Sequence, residues 1–313
     1  MSVVLLSVVL CAHNPRVPVL RRVIRALAAQ TLPKESWELV VVDNRSSPPV
    51  AELMDRAEWG AMRVRFVGEP RLGLTRARLA GFHASDAEVL VLIDDDTLPD
   101  PDYLERALGL MTSHPEIGAA GGRIEGEFES PPPRWAAGYL DCLAIRDFGD
   151  RPIRALIYNE CGPWEPCGAG MVLRRSVART YSEAAERGDR IGLDRVGGTL
   201  SSCGDTDLAR TSSDLGLFLA YEPSLNLKHV IPGTRLRLSY LLRLTYSIQR
   251  DGWFLFRLRG RRCRLSPGRA LILAMLAPIR MVVLPPQRWL LRVVATWGQI
   301  RGRSVRTGGE TDV

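Results

Sequence analysis

Val89–Asp100 reads VLVLIDDDTLPD: five consecutive apolar residues, then three aspartates. A run this short, bounded by the turn signal Leu98-Pro99-Asp100, fits a strand buried on both faces. Asp94, Asp95 and Asp96 then lie at the carboxyl end of that strand, where open α/β sheets place their ligands. Three adjacent carboxylates repel one another, and a fold that gathers them needs a cation to offset the charge. Hard oxygen ligands suit Mg²⁺ or Mn²⁺, and such ions usually complete their shell with substrate phosphates. The same residues suit an acidic turn capping a helix from Pro101, and the triplet by itself leaves both readings open.

The chain before this stretch alternates between strand and helix patterns. Ser2–Ala12 is a nearly unbroken apolar run that carries no charged leader, so it is expected as a first strand rather than a secretory signal. His13-Asn14-Pro15 turns the chain, and Val17, Leu20, Ile24, Leu27 and Ala28 recur at helical spacing. Trp37–Val42 and Val64–Val67 read as the next strands, with a short helix expected from Pro48 to Ala57 between them. Thr75 is the expected N-cap of a helix over Arg76–Ala84. This alternation predicts a mostly parallel sheet covered by helices. His13-Asn14, Asp43-Asn44, Gly68-Glu69 and Asp94–Asp96 then converge along one sheet edge as a nucleotide crevice. Gly73–Arg78 offers helix-start N–H groups and two guanidinium groups to phosphate, or else a solvated surface helix.

Beyond Pro101 the pattern is less regular. Tyr103–Ser113 reads as helix, and Ile117–Glu127 as strands interrupted by Gly118, Gly121 and Gly122. Arg134–Asn159 follows no clear period. Strands are expected at Met171–Leu173 and Leu217–Tyr221, with a helix following Ser202–Asp207 to about Leu215 and closed by Gly216, and Asn226–His229 lies beyond Pro223.

Charge divides the chain. Residues 1–227 carry a net −7 and residues 228–313 a net +14. Such asymmetry points the carboxyl-terminal quarter towards an anionic partner. Its expected helices are Arg235–Gln249, one from Ser266-Pro267 through Leu284, and a last one with Trp289, Leu290, Val293, Val294 and Trp297 on one face. Arg257–Arg264 is a dense basic cluster, no stretch reaches 18 apolar residues, and no nucleic-acid motif accompanies the arginines. The six cysteines are scattered without a CxxC pair, as expected of reduced thiols in a cytosolic protein with no zinc site.

Taken together, the motifs resemble the family 2 glycosyltransferases of the GT-A fold. The carrying stretches are VVLCAHN (Val8–Asn14), ELVVVDNRSS (Glu38–Ser47), GLTRARLAGF (Gly73–Phe82) and VLVLIDDDTLPD, followed by CGAGMVLRR (Cys167–Arg175), CGDTDL (Cys203–Leu208) and LKHVIP (Leu227–Pro232). The resemblance covers about residues 2–232. It departs where Ala77-Arg78-Leu79 replaces the family's Ala-Arg-Asn, and where Gly204 rather than an acidic residue precedes Asp205.

The resemblance implies a GT-A catalytic domain over residues 1–232. Its nucleotide-sugar half would be 1–100 and its acceptor half 101–232. A basic helical region would follow over 233–300, then a disordered tail over 301–313. It implies an inverting transfer of sugar from a nucleotide-diphospho-sugar to the hydroxyl of a saccharide or lipid-linked acceptor, in bacterial polysaccharide or glycolipid synthesis. Ala12 and Asn14 would lie against the nucleotide, Asp43 would bond its base or ribose, and Arg78 would contact it. Asp94 and Asp96 would hold Mg²⁺ or Mn²⁺ with His229 on the metal or diphosphate, while Asp95 faces the nucleotide or a backbone N–H. Gly168 and Gly170 would shape the acceptor side, and Asp205, or else Asp207, would be the general base. With lipid-linked acceptors in view, the basic region is expected to lie peripherally on the inner face of the cell membrane. A sugar nucleotidylyltransferase is the alternative enzyme, but it needs a Gly-rich, Arg-containing loop where His13-Asn14-Pro15 stands. A silent nucleotide-sugar-binding scaffold is the non-enzyme alternative.

Overall fold

A computed structural model describes residues 4–158, 162–188, 193, 195–260 and 286–304. Within them the chain divides into two compact units. The first comprises residues 1–127, 144–197 and 204–230, and the second 128–143, 198–203 and 231–313.

The first unit is built on a mixed sheet. In chain order its elements are β1 (Leu6–Ala12), α1 (Val17–Ala28), β2 (Trp37–Asp43), β3 (Val64–Gly68), α2 (Leu74–Ala84), β4 (Val89–Asp94), β5 (Thr97–Pro99), α3 (Tyr103–Ser113), β6 (Ile117–Phe128), β7 (Ile153–Ala155), β8 (Val172–Arg174), α4 (Arg175–Glu186), α5 (Gly204–Asp214) and β9 (Phe218–Ile231). The strand order is β3-β2-β1-β4-β8-β6-β9-β5, with β7 paired to β9. The first four strands are parallel neighbours, as their alternation with helices requires. The expectation of a mostly parallel sheet holds only for this half. β8 runs antiparallel to β4 and β6, and β9 antiparallel to β5 and β7. Among the described residues no α-helix stands between β6 and β8, and β8 returns antiparallel to β6 and β4.

Side chains alternate between the two faces of the central strands. Leu6, Val8 and Leu10 of β1 join Val89, Val91 and Ile93 of β4 on the face covered by α1 and α3. Val9 and Cys11 join Leu90 and Leu92 on the face covered by α2, α4 and α5. Burial on both faces explains the unbroken apolar runs, and each such side chain contributes about 1.5–3 kcal/mol of burial.

Several local expectations give way. Thr97–Pro99 is a strand and not a turn, because it pairs with β9. The Pro48–Ala57 helix is two 3₁₀ turns, Val50–Glu52 and Arg56–Trp59. α2 starts one residue before Thr75, with Gly73 at φ +143 as its N-cap. Ile117–Phe128 runs unbroken through its glycines. At Gly122 a Cβ would stand 1.9 Å from the Leu225 carbonyl oxygen, so glycine there serves strand contact and not strand termination.

The second unit contains α6 (Leu238–Leu258) and α7 (Pro286–Ser304), with 3₁₀ turns at Arg134–Leu143 and Gly233–Leu236. The face of α7 that meets α6 is small: a Cβ on Gly298 would lie 2.5 Å from the Tyr246 carbonyl, and one on Gly302 2.1 Å from that of Arg250. Leu291 is buried beside them, and Trp297 is 64% exposed. Arg288 donates to the carbonyls of Trp135 (3.1 Å) and Arg134 (3.2 Å), tying α7 to the first of those turns. Among the described residues no helix is long and apolar enough to cross a membrane. The helix expected from Ser266 to Leu284, most of the Arg257–Arg264 cluster, Cys161, Cys263 and residues 305–313 lie outside the described residues.

Candidate active site

Strand register sets the first row of the site. Gly68 is level with Asp43, Asp43 with Ala12, and Cys11 with Asp94, so the parallel strands all end at one edge. The side chain of Ala12 faces the core and its carbonyl accepts the Asn44 N–H at 2.8 Å, so only its backbone borders the edge.

The loops leaving this edge are held by their own polar groups. Asp43 accepts the N–H of Ser46 at one carboxylate oxygen and of Val50 at the other, both at 2.8 Å. A carboxylate oxygen has two lone pairs, so each keeps one for a ligand. Asn14, at φ +48, accepts the Ser47 N–H at 2.9 Å. His13 Nδ1 stands 2.8 Å from the Asn44 carbonyl, which can only accept, so the proton sits on Nδ1.

Asn44, which the sequence marks only as part of the polar strand end Asp43-Asn44, organises three loops. Its amide donates to the carbonyls of Glu69 (3.0 Å) and Arg71 (2.8 Å), and its oxygen accepts the Gly73 N–H at 2.9 Å. The Leu74 N–H goes to the Arg195 carbonyl at 3.0 Å. The N–H groups of Gly73 and Leu74 are therefore used by the chain itself, which narrows the donors that this helix start could offer to phosphate. Of its two arginines, Arg76 is exposed and Arg78 is buried beneath the site.

The aspartate triplet is a tight turn between β4 and β5. The Thr97 hydroxyl accepts the Asp94 N–H and donates to the Asp94 carbonyl, both at 3.1 Å. Pairing of β5 with β9 sets Thr97 opposite His229, and the Val230 N–H donates to the Asp96 carbonyl at 2.9 Å. His229 Nε2 consequently stands 3.4 Å from Asp96 Oδ1, both side chains nearly buried. Desolvation pushes the Asp94 carboxyl above the usual carboxylate range; Arg78 opposes that rise, Asp96 adds to it, and His229 and Arg195 oppose it. Among the described residues, no three His, Cys, Asp or Glu side chains stand together as a complete metal cage.

The facing side is the loop of residues 162–170 with the start of α5. The Gly168 N–H donates to Asp205 Oδ2 at 3.0 Å, and Asp205 Oδ1 accepts the Thr206 N–H at 2.8 Å. A Cβ on Gly168 would stand 2.0 Å from Arg78 Nη2, so the absence of a side chain there makes room for the guanidinium. Gly170 has φ +80, and its Cβ would meet Leu227 Cδ2 at 2.2 Å and the Tyr103 hydroxyl at 2.7 Å; that hydroxyl donates to the Gly170 carbonyl. Asp205 lies inside the first turn of α5 and is partly exposed, whereas Asp207 is fully buried.

A polar row at the carboxyl ends of four parallel strands, an acidic turn and a facing aspartate on a helix start make a ligand crevice of the kind open α/β sheets form at the strand edge. Residues 7–181 match the model of glycosyl transferase family 2, and the chain belongs to that family. It is 32% identical over 106 residues to the validoxylamine A glucosyltransferase of Streptomyces hygroscopicus subsp. jinggangensis, covering 33% of this chain and 25% of that protein. It is 26% identical over 120 residues to the glycosyltransferase AglE of Haloferax volcanii, covering 38% of this chain and 39% of that protein. The matched stretches thus span between a quarter and two fifths of these relatives. Among solved structures it resembles the mannosyltransferase PcManGT of Pyrobaculum calidifontis in complex with GDP-Man and Mn²⁺, with a TM-score of 0.58, 16% identity, and 96% of this chain and 86% of that one covered. It also resembles S. aureus TarS 1-349, with a TM-score of 0.52, 11% identity, and 96% and 90% covered. At these identities the likeness shows the fold, which is GT-A.

Proposed function

We propose that this chain transfers a sugar with inversion from a nucleotide-diphospho-sugar to an acceptor hydroxyl, in bacterial polysaccharide or glycolipid synthesis. The reading rests above all on the acidic turn of Asp94–Asp96 at the strand edge, with Asp205 reached across Gly168. Asp94 and Asp96 are like charges at close quarters, and Asp94 is already disfavoured as an anion by burial. A divalent cation relieves both costs, and two carboxylates with the rest of the shell left to phosphates suit Mg²⁺ or Mn²⁺. His229, beside Asp96, is placed for the same cation or the diphosphate. When bound, the cation would offset the charge that develops on the departing diphosphate.

The chain's own residues carry the rest. The strand edge at Ala12, with Asn14 and Asp43, receives the nucleotide, and Asp95 faces it or a neighbouring N–H. Arg78, fixed under Gly168, adds a positive charge on the leaving-group side. Asp205 takes the proton from the incoming hydroxyl, since its carboxylate is partly exposed and Asp207 is buried out of reach. A single base on one side with the leaving group on the other gives in-line displacement. Residues 1–232 form the catalytic domain in this reading, and 233–300 a basic region lying on the inner face of the cell membrane. Exposed Trp297 and the net +14 of residues 228–313 support that placement.

The deciding experiment is nucleotide release from UDP-glucose, UDP-N-acetylglucosamine and GDP-mannose with and without Mn²⁺. Metal-stimulated hydrolysis is expected with one of them. Release of pyrophosphate from a nucleoside triphosphate and a sugar phosphate would instead indicate a nucleotidylyltransferase. Flotation with vesicles of phosphatidylglycerol tests the membrane reading, and equal flotation with neutral vesicles would overturn its electrostatic basis.

A further inference from the structure

We infer that Glu165 and Arg210 are a positioning pair, a buried clamp that holds the 162–170 loop on α5 and thereby sets Asp205 in place. The inference rests on the reading of Asp205 as the base.

Arg210 Nε stands 2.7 Å from Glu165 Oε2 and Nη2 2.8 Å from Oε1, a two-pronged pair. The side chains are 2% and 6% exposed. Glu165 Oε1 also accepts the Gly162 N–H at 2.8 Å, and the Glu165 N–H returns to the Gly162 carbonyl at 3.1 Å, closing the turn on itself. Three residues on, Gly168 bonds Asp205 at 3.0 Å. The loop is therefore fastened twice to one helix, at Asp205 and five residues later at Arg210. Between the fastenings it contains Pro166, whose Cα packs 3.2 Å from where a Cβ on Gly121 would be, so little slack remains.

A buried ion pair is a poor source of stability, because desolvation consumes most of its attraction and apolar residues of similar volume do as well. What a planar guanidinium against a carboxylate supplies is direction as well as distance. Here that direction matters twice. Gly168 bonds the carboxylate of Asp205 and also leaves the space filled by Arg78, so a shift of the loop moves the acceptor side and the leaving-group side relative to each other.

The test is the double variant Glu165→Met/Arg210→Met, which removes both charges together and leaves neither stranded. It uses whichever of UDP-glucose, UDP-N-acetylglucosamine or GDP-mannose the wild type turns over. The expected result is a cooperative melt near that of the wild type and a donor KM within twofold. The kcat should fall at least tenfold, and amide exchange should accelerate at least tenfold in residues 162–168 but not in β1 or β4. A folded variant with unaltered exchange in the loop, or with kcat within twofold, would overturn the clamp. Should the double variant not fold, Arg210→Lys keeps the charge and loses the fork. The same split is expected of it, and wild-type kcat there is equally fatal. Asp205→Asn separates this inference from the reading beneath it. If Asp205→Asn keeps full turnover, the base assignment fails while loop exchange still judges the clamp. If it loses turnover and the clamp variants do not, the clamp alone fails.

Discussion

The two sides of the site are built differently. On the strand-edge side, Asp43 and Asp94 are held by groups three to seven residues away, and Asn44 and Asp96 by backbone groups at or just beyond a neighbouring strand, at Glu69, Arg71 and Val230. On the facing side, Gly168 and Gly170 bond side chains carried by separate helices, Asp205 of α5 and Tyr103 of α3. Local bonds fix a side chain wherever the strand ladder forms. Distant ones hold only if packing between separate elements is correct. The strand-edge side should therefore lose chemistry when altered and keep its shape, while the facing side should lose geometry first.

The largest effect is expected from Asp96→Ala. Loss of a cation-holding carboxylate should lower both hydrolysis and transfer by roughly 10³-fold or more with the melting temperature little changed. Retained turnover would remove the acidic turn from the chemistry. Asp205→Asn comes next, with kcat for transfer down about 10²-fold or more while calorimetry shows donor affinity unchanged. If donor affinity falls as much as kcat, the two sides are not separable as described. Gly168→Ala should sit between the two behaviours, because its Cβ displaces Arg78. Donor affinity is expected to weaken by about tenfold, the equivalent of about 1.4 kcal/mol, and an unchanged dissociation constant would show that Arg78 does not serve the donor.

Smaller effects probe shape. Tyr103→Phe deletes the hydroxyl that reaches the Gly170 carbonyl and should cost about 1 kcal/mol in denaturant unfolding. A larger loss of turnover than of stability would assign the hydroxyl a part in the site. The smallest effect concerns Glu69 on the strand-edge side. Arg71 beside it, chiefly through the side-chain hydrogen bond, holds its carboxyl below its ordinary 4.5. The stabilisation is full above that ordinary value and lost as pH falls through the lowered one. Wild type and Arg71→Ala should therefore differ slightly in melting temperature at neutral pH and converge on acidification. A gap that widens in acid would contradict the pairing.

The same contrast explains what could be read without coordinates. β1, β2 and β4 announce themselves as apolar runs ending in Ala12, Asp43 and Asp94, because burial on both faces leaves few polar positions before the edge, Ser7 and Glu38 being buried as partners of each other at 2.9 Å. The sequence of β6 and β9 reads as broken, because Gly121, Gly122 and Pro223 are breakers by local rule. Yet Pro223 falls between the residues that pair with β7 (Leu219–Tyr221) and those that pair with β5 (Leu227–His229), so it interrupts neither ladder. Asp205 was visible as an acidic residue at a helix start. Glu165 and Arg210 were not, since 45 residues separate them and neither stands in a local pattern that marks its partner. Asn44 carried a weak signal as an Asn just past a strand, where its amide can imitate backbone.

The missing side chain at residue 168 has a consequence for how this scaffold can diverge. Arg78 occupies the volume that any other residue at 168 would fill, so the two positions share one space and are not free to drift independently. A lineage that places Ala or Ser at 168 should carry a shorter residue at 78. An engineer enlarging the acceptor side by mutating that loop would meet the donor side first, and would do better to redesign both positions in a single library.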